Sequence, residues 1–230
     1  MSDDTSPLAG FDGTARLFPL PNVVLYPHVM QPLHIFEPRY RQMTADALAG
    51  NRQIALVLLE PGWETGYDGT PAIHDVACLG KIVAENRLDD GRYNILLRGL
   101  CRIRLDHEVP QAKLYRLARV ELLEDVFLTQ PLTVRKLRKQ LIRHVPAWFP
   151  AKGKVLDEFK KLLRSELPLG ALCDIVAFAL PLDIAFKQQL LEELDVQKRA
   201  SSLLDYLEAH EPPKAAELVE RKFPPEFSVN

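Results

Sequence analysis

The sequence predicts an α+β chain: a small, partly closed β-barrel carrying one inserted helix, followed by a C-terminal helical bundle. Three observations predict it. In residues 14–128, short apolar runs of strand length are separated by Pro, Gly and Asp turn signals. Within that half a single helical stretch opens, with Pro38 in its first turn and Gly50 placed to end it. From Pro131 onward the apolar residues recur in steps of three and four instead.

The elements follow in order. Residues 1–13 are small and polar, which predicts a disordered tail. Residues 15–20, 23–25 and 33–36 read as short strands among Pro19, Pro21 and Pro27. Tyr40, Met43 and Ala47 share one face of the inserted helix. Residues 54–59 are a continuous apolar run, as a central strand requires. A Gly- and Pro-rich loop, 61–71, carries Trp63 and Tyr67. Residues 76–88 and 93–97 form a hairpin about Asp89-Asp90-Gly91. Residues 103–105 and 117–123 complete six or seven strands, with Gly80 and Gly99 at bulges or bends. So many short strands are best protected by closing on themselves, which removes exposed edges.

The second half, 129–210, reads as five helices. Val134, Leu137, Leu141, Val145 and Trp148 mark the first, and Val155, Phe159, Leu162 and Leu163 the second. Residues 168–180 are apolar nearly all round, as a central helix would be. Asp183 and Asp195 are placed to N-cap the fourth and fifth. Val196, Ala200, Leu203 and Leu207 give the fifth its apolar face. Residues 211–230 hold four prolines and read as a Pro-rich C-terminal tail.

Composition bounds the function. The 230 residues are 47% hydrophobic and 26% charged, which is ordinary for a globular chain with a full core. A net charge of −2 argues against a general nucleic-acid or membrane binder. Cys78, Cys101 and Cys173 are odd in number and widely spaced, which points to a reducing compartment rather than a disulfide framework. The first ten residues lack the apolar core of a signal peptide, and the apolar run 167–182 is too short to span a bilayer. The cytoplasm is the expected location.

The chemistry-bearing patterns are missing. There is no G-x-x-x-x-G-K-[ST], G-x-G-x-x-G or G-x-S-x-G. Ser165, Ser201 and Ser202 read as helix surface. His74 with Cys78, and Cys101 with His107, have no C-x-x-C or H-E-x-x-H beside them, so they read as coincidental neighbours. Asp89-Asp90 is turn chemistry, and Glu192-Glu193 with Asp195 suits a helix junction. No catalytic, cofactor-binding or metal-ligating residue is predicted, no cofactor, and no enzymatic activity.

Two features suit binding. Residues 126–156 contain no acid, and Arg135, Lys139 and Arg143 recur every fourth residue, opposite much of the apolar stripe. Such a ridge fits an acidic partner, RNA or phosphate, although a solvated helix face has the same pattern. Trp63 and Tyr67 are aromatics on a Gly/Pro loop, fit to anchor an interface or to fold back over the barrel mouth.

Several blocks of residues resemble a known family. L-F-P-L-P-N-V-V-L-Y-P over 17–27 and Q-P-L-H-I-F-E-P-R-Y over 31–40 are similar to the opening of the Lon protease substrate-binding domain. So are L-G-K-I-V over 79–83, R-G-L-C-R-I-R-L over 98–105, L-P-L over 180–182 and K-Q-Q-L-L-E-E-L-D-V-Q-K-R over 187–199. The resemblance spans roughly 15–210 and departs at His28, where the family pattern has glycine after the proline.

It implies a PUA-like six-stranded barrel, of the type also found in cereblon, followed by a helical bundle. The implied role is that of a free-standing, non-catalytic module for unfolded or extended polypeptide, an adaptor or regulator working with a protease or chaperone. It transfers no catalytic residue, since the ATPase and Ser/Lys protease parts of Lon lie in other domains. An RNA reader of PUA type and a small-ligand barrel lined by Trp63 and Tyr67 are the alternatives.

Overall fold

The computed structural model describes residues 8–66, 69–110, 112–127, 131–149 and 152–212. They divide into two compact units, one running to Leu123 and one beginning at Glu124.

The first unit holds β1 (Thr14–Leu20), β2 (Met30–Ile35), α1 (Pro38–Leu48), β3 (Gln53–Leu58), a 3-10 turn (Trp63–Gly66), β4 (Val76–Arg87), β5 (Tyr93–Glu108) and β6 (Leu117–Leu123). The sheet order is β2-β5-β4-β3-β1-β6, and β6 also pairs with β5. β1 and β3 run parallel, with Phe18 beside Leu56, and the other pairs are antiparallel. Tyr40, Met43 and Ala47 are the buried face of α1, as their spacing predicts. All six residues of β3 are buried, as befits a strand flanked on both edges.

One core cluster alternates small and large side chains: Ala15 and Leu17 from β1, Ala55 and Val57 from β3, Ala77 and Leu79 from β4. Ile103 and Ala118 complete it. Each large one stabilises the unit by about 1.5–3 kcal/mol on burial. Of the segment 1–13, residues 8–13 are described, and Leu8 and Phe11 pack against this cluster.

Two strand expectations are corrected. Residues 93–97 and 103–105 belong to one strand, β5, because a bulge absorbs the glycine: Leu79 faces Cys101 while Gly80 faces Gly99. Residues 23–25 form no strand. Pro21 and Pro27 on either side lack the N–H that a ladder needs, and Val24, Leu25 and Tyr26 are buried as a loop.

That loop ends at His28, whose φ is +69°. A side chain there costs roughly 1–2 kcal/mol of strain, which glycine avoids at roughly 0.5–1 kcal/mol of chain entropy. The departure from the family glycine therefore has a physical cost. His28→Gly is expected to leave stability unchanged or raise it by up to about 1 kcal/mol, read from the urea unfolding midpoint. A clear loss would mean that the exposed imidazole makes a contact that stabilises the loop.

The second unit holds α2 (Pro131–Trp148), α3 (Lys154–Leu163), α4 (Leu169–Ala179), α5 (Ile184–Glu192) and α6 (Val196–Ala209). α6 packs against α2, α4 and α5, and α2 also touches α3 and α4. Leu137, Leu141, Val145 and Trp148 are the buried stripe of α2, and α4 is buried on almost every side. Asp195 caps α6 by accepting from the N–H groups of Gln197 and Lys198. Asp183 stands at the N-cap position of α5 but makes no side-chain cap. Its Oδ2 accepts from the Tyr206 hydroxyl at 2.9 Å instead. Val155, expected on the buried face of α3, is exposed. The helical period starts at 131, yet the unit starts at Glu124, because Val126 bonds through its backbone to Leu194 and Val196. The predicted tail lies largely outside the described residues, which end at Pro212.

Candidate functional site

The two groups of candidate residues fall in different units. Trp63 opens the 3-10 turn of the first unit and is part-buried, while Tyr67 lies outside the described residues. Arg135, Lys139 and Arg143 are all exposed along α2, on the side away from Leu137, Leu141 and Val145. Arg138 does not belong to that ridge. Its guanidinium donates to the carbonyls of Ser165 and Leu167 and so fastens α2 to the chain after α3.

Beside the loop that carries Trp63, the first unit has a concavity of about 190 Å³. Three distant stretches line it: Arg39 and Tyr40 at the start of α1, Gly69, Thr70 and Pro71 of the loop, and residues 113–116. Pro19 and Leu59 contribute from β1 and just after β3. Local packing explains its form. Tyr40 is wedged between the Phe18 ring, 4.5 Å away, and the Arg39 guanidinium, 4.7 Å from its centroid.

The 113–116 wall is tied to α1 by three bonds. Lys113 Nζ donates to Asp46 Oδ2 at 2.9 Å, the Leu114 N–H to Gln42 Oε1 at 2.8 Å, and the Tyr115 hydroxyl to Asp46 Oδ2 at 2.9 Å. Arg116 Nη1 donates to the Pro71 carbonyl at 2.8 Å, joining wall to loop.

These bonds set the pH range of the wall. The hydrogen bond from Lys113, with lesser help from that of Tyr115, holds the Asp46 carboxyl below its ordinary range against the cost of burial. A depressed folded pKa stabilises above the ordinary carboxylate value and is lost as pH falls through the lower one. Burial, then the Asp46 bond, pushes the Tyr115 phenol up. That contribution is present below the ordinary phenol value and is lost as pH rises through the raised one. The wall therefore keeps its bonds throughout the neutral range.

Sequence reasoning missed this concavity, because Asp46 and Tyr115 are 69 residues apart and no local pattern joins them. It also missed the bracing of the second unit. Arg199, fully buried, donates to Asp174 Oδ1 at 3.1 Å, to both Asp125 oxygens and to the Glu193 carbonyl at 2.9 Å. That arrangement is internal and offers nothing to a ligand. Among the described residues, no group of three or more His, Cys, Asp or Glu is placed to hold a metal ion. No described helix is long and apolar enough to cross a membrane.

The architecture defines an α+β chain of two units: a six-stranded sheet with one helix inserted, then a helical unit. The same fold occurs in the N-terminal domain of the Mycobacterium avium complex Lon protease, with a TM-score of 0.68 at 18% identity over 86% of this chain and 99% of that one. It occurs too in a Lon N-terminal domain protein from Xanthomonas campestris, with a TM-score of 0.57 at 23% identity over 84% and 98%. The chain belongs to the family of the ATP-dependent protease La (LON) substrate-binding domain, whose model matches residues 14–209.

Among curated relatives, the Lon protease of Dictyoglomus thermophilum is 28% identical over 196 residues, covering 83% of this chain and 24% of that protein. The Lon protease of Trichlorobacter lovleyi is 29% identical over 193 residues, covering 83% and 23%. The chain thus spans about a quarter of the length of the Lon proteases it matches, and the match is to the substrate-binding domain.

Proposed function

We propose that this chain is a non-catalytic module that binds extended or unfolded polypeptide and serves proteolysis as an adaptor or regulator. The observation that carries the reading is the concavity of the first unit, where Leu114 stands 63% exposed beside a preformed, part-apolar recess. Membership of a substrate-binding family supports it. Burial of apolar surface at about 25 cal/mol per Å² would drive binding. The cost of ordering an extended chain offsets much of that gain and keeps affinity low. The return of the strand pairings from β6 to β5 supports a small closed barrel as the rigid support.

The exposed ridge of Arg135, Lys139 and Arg143 favours a second reading, an RNA reader. The size of this concavity, about 190 Å³, weighs against a small-molecule site at that place, since those occupy roughly 300–1,000 Å³.

Fluorescence anisotropy separates the readings. The full chain is titrated against a labelled unfolded polypeptide and a labelled RNA, each at low and moderate salt. The expected result is polypeptide binding that tolerates salt and survives the triple change Arg135→Glu, Lys139→Glu, Arg143→Glu. Binding of RNA alone, lost with salt and with that triple change, would sink the polypeptide reading.

A further inference from the structure

We propose that the concavity between α1 and the segment 113–116 holds one large apolar side chain of an extended polypeptide, with a neighbouring acidic residue of that polypeptide against Lys113. This rests on the polypeptide-binding reading and names the sequence feature the site selects.

Size sets the first limit. A volume of about 190 Å³ is several times the roughly 30 Å³ share of a water and short of the roughly 300 Å³ where small-molecule sites begin. It matches a single bulky side chain. The lining agrees: Pro19, Leu59, Pro71 and Leu114 supply apolar atoms, beside the buried rings of Tyr40 and Tyr115.

Charge sets the second. The lining residues with charged side chains are Arg39, Lys113 and Arg116, all cations. Their carboxylate partners, Glu37, Asp46 and Glu108, are not part of the lining. Lys113 is the accessible one: its side chain is 48% exposed, against 24% for Arg39 and 16% for Arg116. A carboxylate on the bound chain meets an ammonium that gives one proton to Asp46 and has two more to donate, with no acid in the lining itself, whereas a lysine in that place meets like charge. The three bonds that tie the wall to α1 hold the recess in shape before binding, which lowers the ordering cost.

The test uses the full chain with fluorescein-labelled, C-terminally amidated Gly/Ser peptides. They carry a central Phe-Asp, Ser-Asp or Phe-Lys pair. Thr70→Trp fills the recess from an exposed lining position, and Leu114→Ser removes its exposed apolar wall. Both change surface residues, and circular dichroism checks that each variant is folded. The expected result is that the wild type binds the Phe-Asp peptide, with affinity lowered about tenfold or more for Ser-Asp and for either variant. The Phe-Lys peptide binds several-fold more weakly, and Lys113→Ala abolishes the difference between Phe-Asp and Phe-Lys. Unchanged Phe-Asp binding by both Thr70→Trp and Leu114→Ser overturns this site. So does a wild type that binds the unfolded polypeptide and none of these peptides, and in both cases the broader reading stands. A wild type that binds neither overturns both.

Discussion

Arg199→Met is expected to destabilise the helical unit by about 3–5 kcal/mol, because it takes the guanidinium away from the buried Asp174 carboxylate. Arg199 is the largest fully buried side chain of the chain's described residues, and Asp174 beside it is only 1% exposed. The guanidinium spans three pieces of backbone. It meets Asp125 in the segment that enters the unit, Asp174 in α4 and the Glu193 carbonyl at the end of α5. Methionine keeps much of the volume and supplies none of the donors. The buried Asp174 carboxylate then loses its guanidinium, the costly half of the buried-pair asymmetry, and the part-exposed Asp125 loses the same partner.

The chain has two tryptophans, Trp63 in the first unit and Trp148 in the second. Trp148 fluorescence in a Trp63→Phe background therefore reports on the helical unit during urea unfolding. Adding Asp174→Leu to Arg199→Met is expected to restore part of the loss, since one stranded charge goes with it. An Arg199→Met midpoint close to that of the parent would show that the triad contributes little.

That triad marks how far the sequence could be read. Repeating features were legible because they depend on near neighbours. The stripe Leu137, Leu141, Val145, Trp148 sits on one side of α2, and Asp89-Asp90-Gly91 turns the β4–β5 hairpin, with Gly91 at φ +80°. Asp195 caps α6 by bonds that span two and three residues. The block ending D-V-Q-K-R was read as a family likeness alone. In the structure its aspartate starts the helix and its arginine, one turn on, braces the unit. Nothing local announces that role, since Asp125 lies 74 residues from Arg199.

Gly170 is a similar case. In the sequence it is one break in an apolar run, yet a Cβ there would lie 2.6 Å from Asp125 Oδ2. The candidate site divides in the same way. The α2 ridge followed from spacing, and its residues are exposed together. The concavity depends on α1, a loop and the segment 113–116 meeting in three dimensions, and Trp63, the described member of the aromatic pair singled out from that loop, is not part of its lining. Asp183 failed as a cap because Tyr206, 23 residues away, offers its hydroxyl to the same carboxylate.

Gly99→Ala should have the largest effect of any single methyl added to the first unit, about 3–5 kcal/mol. An added Cβ would lie 1.9 Å from the Tyr26 carbonyl oxygen and 2.8 Å from its carbon. Those are backbone atoms, so no rotamer change relieves the clash. The loop that crosses β5 there is bonded on both sides of the glycine: the His28 N–H donates to the Gly99 carbonyl at 3.0 Å, and the Gly99 N–H to the Val29 carbonyl at 2.9 Å. Pushing the loop away loosens both bonds, each worth about 1 kcal/mol, and lifts Leu25 and Tyr26, both fully buried, out of their packing. Gly80→Ala is the comparison that isolates the cause. Its Cβ would come within 2.7 Å of a side-chain atom, the buried Leu97 Cγ, and its nearest backbone atom, the Arg98 carbonyl oxygen, stands at 3.1 Å rather than 1.9 Å, so the backbone there has to give far less. Urea unfolding followed by Trp63 fluorescence, in a Trp148→Phe background, should therefore rank Gly99→Ala well below Gly80→Ala in midpoint. Equal midpoints would mean that the loop yields as easily as a side chain, and that the R-G block owes its glycine to something other than this crossing.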